Sequence, residues 1–140
     1  IGDWSSDVCS SDLNIIHPDY HNSANDQIIS LAMIETEQAV ENAEAICSTP
    51  GLTGIYVGPS DLAISMGEGP GLDRGPGKVY DAIQHVLTTA KASGIRAGLH
   101  CMAPDYIKKM YECGFDFASL SNDVRLLTQV VTSQINAVRS

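Results

Sequence analysis

The sequence predicts an α/β fold in which four βα units follow one another along the chain. Four short apolar runs, at residues 28–34, 54–57, 95–99 and 115–120, are predicted as strands, and segments with apolar residues at helical spacing separate them. Strands that are joined through helices pair in parallel with right-handed crossovers. This pattern fits half of a (β/α)8 barrel and an open, doubly wound sheet equally well.

The first half of the pattern contains two strands and one helix. The uninterrupted apolar run at residues 28–34 predicts a strand that is buried on both faces. Thr36 can cap a helix over residues 36–47, whose apolar side is formed by Val40, Ala43 and Cys47. Pro50 and Gly51 end this helix, and the second strand follows them.

The second half begins with a glycine-rich loop at residues 67–77, which is expected to shape the mouth of the fold or a contact between subunits. The helix after it is ended by Gly94 and should bury Val79, Ile83, Val86, Leu87 and Ala90. Pro104 starts a helix that should point inward with Ile107, Met110 and Tyr111. The last helix starts after Asn122 or Asp123 and is expected to bury Leu127, Val130, Val131, Ile135 and Val138.

Composition excludes several classes of partner. The 140 residues carry a formal net charge of −9, which disfavours nucleic acid and anionic membranes. No apolar run is long enough to span a bilayer. The four cysteines form no C-x-x-C pair, which favours free thiols and a cytoplasmic location. Two of them, Cys47 and Cys113, are expected near helix ends as small buried side chains.

The first thirteen residues differ from the rest of the chain. Residues 1–13 contain four serines and three aspartates and show neither helical nor strand periodicity. The segment is similar to translated sequencing-adapter read-through. We therefore expect residues 1–13 to be a non-native or disordered tail, residues 14–140 to form the domain, and the natural protein to continue upstream.

Two carboxylates follow two of the predicted strands. Glu35 comes directly after the first apolar run, and Asp61 lies four residues beyond Val57 in a Gly58-Pro59-Ser60-Asp61 turn. Because parallel strands end at one edge of the sheet, these side chains could share a hard cation such as Mg²⁺ or Mn²⁺. Alternatively, Glu35 is an acid in the first turn of a helix and Asp61 is an N-cap.

Several segments in the same order resemble the HpcH/HpaI aldolase family. The similarity runs from Ala24 to the C-terminus and is carried by Met33-Ile34-Glu35-Thr36, Ala39-Val40-Glu41-Asn42, PGLTGIYVGPSDL at residues 50–62, Ser65-Met66-Gly67, Gly114-Phe115-Asp116 and Ser121-Asn122-Asp123. The resemblance implies that residues 14–140 are a partial aldolase domain, the C-terminal half of a (β/α)8 TIM barrel. It also implies reversible cleavage of 4-hydroxy-2-oxo or 2-keto-3-deoxy acids to pyruvate and an aldehyde.

The resemblance also assigns roles to single residues. Glu35 and Asp61 match the family's ligands for a divalent metal, which could be Mg²⁺, Mn²⁺ or Co²⁺. The substrate-binding positions are matched by Ser60, Asp61, Gly58 and Met33, and the backbone at Ser60 would hold the pyruvate carboxylate. Many members have Gln where Met33 stands, and a thioether cannot donate a hydrogen bond.

The chain alone is expected to be inactive. The family's general-base His and its enolate-stabilising Arg belong to an N-terminal half that is missing here, so no catalytic residue is expected in this chain. Full-length members commonly form hexamers, so a homo-oligomer is expected of the whole protein.

Two other functions remain open at this stage. One is a lyase similar to those that cleave citryl- or malyl-CoA, and the other is a non-catalytic half-barrel that only associates with itself through exposed sheet edges. Of the histidines, His17 and His21 are predicted in a surface loop because of Pro18, and His85 on the surface of a helix. His100 ends the third strand and could line the pocket.

Overall fold

The structure is a computed structural model that describes residues 19–139. His17, Pro18 and the predicted tail at residues 1–13 lie outside the described residues. The strands are β1 (Leu31–Ile34), β2 (Gly54–Val57), β3 (Arg96–Cys101) and β4 (Phe117–Leu120). The helices are α1 (Tyr20–Gln27), α2 (Glu37–Glu41), α3 (Ala43–Cys47), α4 (Pro59–Ser65), α5 (Lys78–Ala92), α6 (Pro104–Cys113) and α7 (Asp123–Arg139). The predicted four βα units are confirmed.

The four strands form one parallel sheet in the order β1-β2-β3-β4. Each crossover connection therefore joins a strand to its immediate neighbour, and all of them proceed in the same direction across the sheet. Right-handed crossovers that all step in one direction leave their helices on one face of the sheet, as in a barrel wall. A doubly wound sheet reverses its strand order, so this order rules out that alternative.

The core lies between the sheet and these helices. Alternate strand residues point into it, and Ile34, Ile55, Val57, Ala97 and Leu99 are almost completely buried. The five apolar residues that were predicted on the buried face of α5 are all buried, as expected. Thr36 caps α2 by accepting a hydrogen bond from the backbone N–H of Ala39 at 3.1 Å.

The opposite face of the sheet has no covering layer within residues 19–139. The prediction of a first strand buried on both faces is therefore wrong. β1 begins only at Leu31, and Ile28, Ile29 and Met33 are all more than half exposed. A continuous apolar run predicts a second layer, and that layer is not formed by the described residues.

Three details of the helices also differ from the predictions. The helix predicted over residues 36–47 is divided at Asn42 into α2 and α3. On α6, Met110 is fully buried, but the next residue, Tyr111, turns about 100° around the helix and is 47% exposed. Cys113 is exposed rather than buried, and its sulfur lies 3.9 Å from the Tyr80 hydroxyl.

Helix α7 forms where it was predicted but is exposed on every side. The residues that were expected to be buried are from 44% to 88% exposed, because no described element covers them: Leu127, Val130, Val131, Ile135 and Val138. The apolar stripe of α7 therefore lacks a partner within the described chain.

Among the described residues, no helix has the length and apolar character that crossing a membrane requires.

The carboxylate of Asp116 connects the amino-terminal ends of β3 and β4 to α5. Asp116, just before β4, accepts hydrogen bonds from Lys91 Nζ at 2.5 Å, Arg96 NH1 at 2.9 Å and the backbone N–H of Ala97 at 2.8 Å. Burial acts to raise the pKa of this carboxyl, but the hydrogen bonds from Lys91, Ala97 and Arg96 outweigh it and lower the pKa to about 2. Asp116 therefore stays charged over the whole neutral and mildly acidic range.

We expect Asp116→Asn to lower the free energy of unfolding at neutral pH by about 1 kcal/mol, because Lys91 and Arg96 are partly exposed and screened by water. A carboxyl whose pKa is lowered by folding stabilises the folded chain above its unfolded pKa. That stabilisation is lost as the pH falls from about 3.8 to about 2. Urea denaturation at a series of pH values measures this loss.

The matched control is Asp105→Asn, because the ion pair between Asp105 and Lys108 is mostly exposed and should contribute little. The two variants should therefore differ in the acid limb of their stability profiles. Equal profiles would show that the Asp116 cluster does not stabilise the fold.

Candidate functional site

A cavity of about 540 Å³ opens at the carboxyl ends of the strands, on the uncovered face of the sheet. The ends of β1 and β2 supply Met33, Glu35, Tyr56, Gly58, Ser60 and Asp61. The glycine-rich loop supplies Pro70, Gly71 and Leu72, and the remaining wall is formed by His100, Met102, Asn122 and Arg125. The structure thus brings all the residues predicted for the site into one cavity.

The position of Glu35 depends on the absence of a side chain at Gly58. A Cβ atom at Gly58 would lie 2.9 Å from Glu35 Cγ and 3.0 Å from Cδ, closer than van der Waals contact permits. The backbone N–H of Gly58 also donates to the carbonyl of Ile34 at 3.2 Å. The Glu35 carboxyl therefore lies against the turn that carries Ser60 and Asp61.

Neither acid has the purely structural role that the sequence left open for it, although Asp61 does lie in the first turn of α4, where the helix dipole favours a carboxylate. Glu35 precedes Thr36, the N-cap of α2, so it lies outside the helix, and Glu37 is the acid in its first turn. The N-cap of α4 is Gly58, and Asp61 is the third residue of that helix. Neither Glu35 nor Asp61 makes a side-chain hydrogen bond or an ion pair with another residue in the range 19–139.

These two carboxylates fit a hard cation by their chemistry. Both are oxygen donors without a protein partner among the described residues, and both line the same cavity. Across residues 19–139, no group of three or more His, Cys, Asp or Glu is placed to hold a metal ion. A cation bound here would take its other ligands from water or substrate, which is the usual arrangement for Mg²⁺.

A hydrogen-bonded group of three side chains forms the neighbouring part of the wall. His100 Nδ1 lies 2.5 Å from Ser119 Oγ and 3.2 Å from the Tyr56 hydroxyl, which is itself bonded to Ser119. The Phe117 ring crosses over Gly98 and stacks on Tyr56 with ring centroids 5.9 Å apart. Of these residues, only His100 was predicted from the sequence as a residue that could line the pocket.

Tyr56 and Ser119 were not predicted because the sequence does not give the register between neighbouring strands. His100 pairs with Ser119, and Tyr56 pairs with Gly98, so the three polar side chains project from the same face of neighbouring strands. Alternation within each predicted strand indicates which residues share a face, but it does not show which positions of two strands lie side by side. His85 is exposed on α5, as expected, and His21 lies in α1 rather than in a loop.

The glycine-rich loop is held over the cavity by polar contacts. Asp73 accepts hydrogen bonds from the backbone N–H groups of Met102 at 2.7 Å and Ala103 at 2.9 Å. The Tyr106 hydroxyl donates to the carbonyl of Arg74 at 2.9 Å. These contacts fix the loop so that it contributes to the mouth of the cavity, in agreement with its predicted role.

Comparison with known proteins gives one family for most of the chain. Residues 8–129 match the family model described as HpcH/HpaI aldolase/citrate lyase. The match includes residues 8–13, which lie in the predicted tail, and the assignment of residues 1–13 stays a prediction. The matched range contains every residue of the cavity.

Two curated relatives are aldolases by name. A hydroxypyruvate/pyruvate aldolase of Rhizorhabdus wittichii is 34% identical over 121 residues, which are 86% of this chain and 48% of that protein. A 5-keto-4-deoxy-D-glucarate aldolase of an Enterobacter species is 37% identical over 107 residues, which are 76% of this chain and 41% of that protein. The chain thus spans less than half the length of either relative.

The solved structures agree with this result. The crystal structure of an HpcH/HpaI aldolase/citrate lyase family protein from Burkholderia cenocepacia superposes with a TM-score of 0.79 at 32% identity, over 87% of this chain and 47% of that one. The predicted fold class, an α/β half of a (β/α)8 barrel, is confirmed by this match. Sequence match, fold and cavity therefore agree, and the chain belongs to the HpcH/HpaI aldolase/citrate lyase family.

Proposed function

We propose that this chain carries the metal-binding and pyruvate-binding half of a class II aldolase. The whole enzyme would cleave 4-hydroxy-2-oxo or 2-keto-3-deoxy acids to pyruvate and an aldehyde. One observation carries the proposal: Glu35 and Asp61, without partners among the described residues, line one cavity beside the bare backbone of Gly58. The aldolase names of the two curated relatives support the same reaction class.

In this proposal, residues in or just after β1 and β2 bind the metal and the substrate. Glu35 and Asp61 would hold a divalent cation, Mg²⁺, Mn²⁺ or Co²⁺, and this cation would supply positive charge that stabilises the enolate of pyruvate. The backbone N–H groups of Ser60 and Asp61 have no acceptor within the described residues and receive the substrate carboxylate. Met33 is half exposed in the wall and offers only an apolar contact.

The chain lacks an obvious group to remove the proton from the substrate hydroxyl. Among the described residues of the cavity wall, His100 is the only imidazole, and its Nδ1 is already bonded to Ser119 and Tyr56. The base and the enolate-stabilising Arg therefore belong, in our proposal, to the part of the longer protein that this chain does not cover. This part of the proposal rests on the family resemblance.

Two further parts of the proposal concern the setting of the enzyme. A homo-oligomer is supported by the exposed apolar residues of α7 and by the open edges of β1 and β4. A cytoplasmic location is supported by the described cysteines, Cys47, Cys101 and Cys113, which are all free thiols.

Removing the charge of the two acids should weaken metal binding. We expect the Glu35→Gln, Asp61→Asn double variant to bind Mn²⁺ at least tenfold more weakly than wild type, because neutral amides replace both charged ligands. Isothermal titration with Mn²⁺, with and without pyruvate, measures the effect. The control is Glu44→Gln, Asp81→Asn, which removes two exposed acids outside the cavity. Equal affinities in the two double variants would refute the site.

Filling the space at Gly58 should have a similar but smaller effect. In Gly58→Ala the new methyl group meets Glu35 Cγ and Cδ and displaces the carboxyl, so Mn²⁺ affinity should fall about tenfold. Gly69→Ala is the matched control, since nothing lies within 4 Å of a Cβ atom at that position. Undiminished Mn²⁺ binding by a folded Gly58→Ala protein would show that Glu35 does not need this close approach.

The chain alone should release no pyruvate from 4-hydroxy-2-oxo acids. The expected result in a lactate dehydrogenase coupled assay with Mg²⁺, Mn²⁺ or Co²⁺ is the background rate, because the base and the Arg are absent. Pyruvate release that depends on Glu35 and Asp61 would show instead that this chain contains its own proton acceptor.

A further inference from the structure

The cavity contains a positive charge that the metal and pyruvate sites do not use. Arg125 lies in the first turn of α7, where its backbone N–H donates to Asn122 Oδ1 at 2.9 Å. It is the only Lys or Arg among the described residues that line the cavity. Its guanidinium is 3.1 Å from the sulfur of Met102 and pairs with no carboxylate in residues 19–139.

His100, which lines the same cavity, adds a hydrogen-bond donor. If Tyr56 donates to Ser119 and Ser119 donates to His100 Nδ1, both hydroxyl hydrogens have acceptors. If Nδ1 carried the hydrogen instead, one of the two hydroxyl hydrogens would have no acceptor within this group of three side chains. The first arrangement places the imidazole hydrogen on Nε2, which has no hydrogen-bond partner among the described residues, and His100 lines the cavity.

We propose that Arg125 and His100 form a second anion subsite, which binds a carboxylate at the far end of the substrate. A guanidinium can bind both oxygens of a carboxylate at once, and a fixed N–H donor can add a third hydrogen bond. The chain would accordingly prefer 2-oxo acids that carry a second carboxylate. This inference rests on the proposed function, which places the 2-oxo acid end at Glu35, Asp61 and Ser60.

A different role for Arg125 gives a different result. If its guanidinium served mainly as the counter-ion of Glu35 and Asp61, its removal would strengthen binding of a divalent cation, since less positive charge would oppose it. If it binds substrate, its removal would leave affinity for the cation nearly unchanged and weaken only ligands with a second carboxylate. The two roles are therefore separated by measuring both affinities.

The test compares matched pairs of stable ligands on the Mn²⁺-loaded chain. 2-Oxoglutarate is compared with 2-oxopentanoate, and 2-oxoadipate with 2-oxohexanoate, because each pair differs mainly in the distal carboxylate. We expect at least one dicarboxylate to bind about tenfold more tightly than its partner, the usual effect of one charged hydrogen-bonded contact. Arg125→Met should abolish this preference, Arg125→Lys should retain part of it, and the surface variant Lys108→Met should keep it in full.

The possible outcomes distinguish this inference from the proposed function. If pyruvate binds but neither dicarboxylate is preferred, the second subsite is refuted and the metal site stands. If Arg125→Met binds Mn²⁺ more tightly and discriminates as wild type does, Arg125 is a counter-ion and the inference is wrong. If neither Mn²⁺ nor any 2-oxo acid binds, the proposed function fails and the second subsite fails with it.

His100 has a separate readout. Nitrogen-15 chemical shifts should show its hydrogen on Nε2 in the wild-type chain and a mixture of the two tautomers in the Tyr56→Phe, Ser119→Ala double variant, which loses both hydroxyl donors to Nδ1. This double variant should also reduce the preference for dicarboxylates without changing the affinity for pyruvate. A hydrogen on Nδ1 in the wild-type chain would overturn the role given to His100.

Discussion

The close approach of the Glu35 carboxyl to the backbone at Gly58 is the contact on which the rest of the site depends. It joins the end of β1 to the turn after β2, and this turn also carries Ser60 and Asp61. Any side chain larger than hydrogen at residue 58 would collide with the Glu35 carboxyl and displace it. One glycine therefore allows two strands to present their charged groups to a single cavity, although the acids are far apart in sequence.

The two faces of the sheet have different environments and different roles. All crossovers run in one direction, so helices cover one face of the strands and the other face is free for function. Alternate residues of one strand consequently have opposite environments: Ile34 and Val57 are buried in the core, whereas Met33 and Tyr56 line the cavity. Stability and binding are thus assigned to alternating positions of the same short strands.

The sequence predicted what depends on local pattern and strand ends. β2 and the buried face of α5 follow from apolar periodicity, and Glu35 and Asp61 follow from the rule that parallel strands end at one edge. Features that depend on pairing could not be predicted in this way. The Asp116 cluster and the Tyr56–His100–Ser119 group need strand register, and the exposure of α7 depends on neighbours that its amphipathic pattern cannot specify.

The contacts of Asp73 have a mechanical consequence for the mouth of the cavity. Its carboxylate accepts hydrogen bonds from the backbone N–H groups of Met102 and Ala103, just before α6, so an outward movement of the loop would break both of them. Met102 in turn touches the guanidinium of Arg125 through its sulfur. A displacement of the loop would therefore disturb the backbone of Met102, the residue whose sulfur contacts Arg125 in the cavity wall.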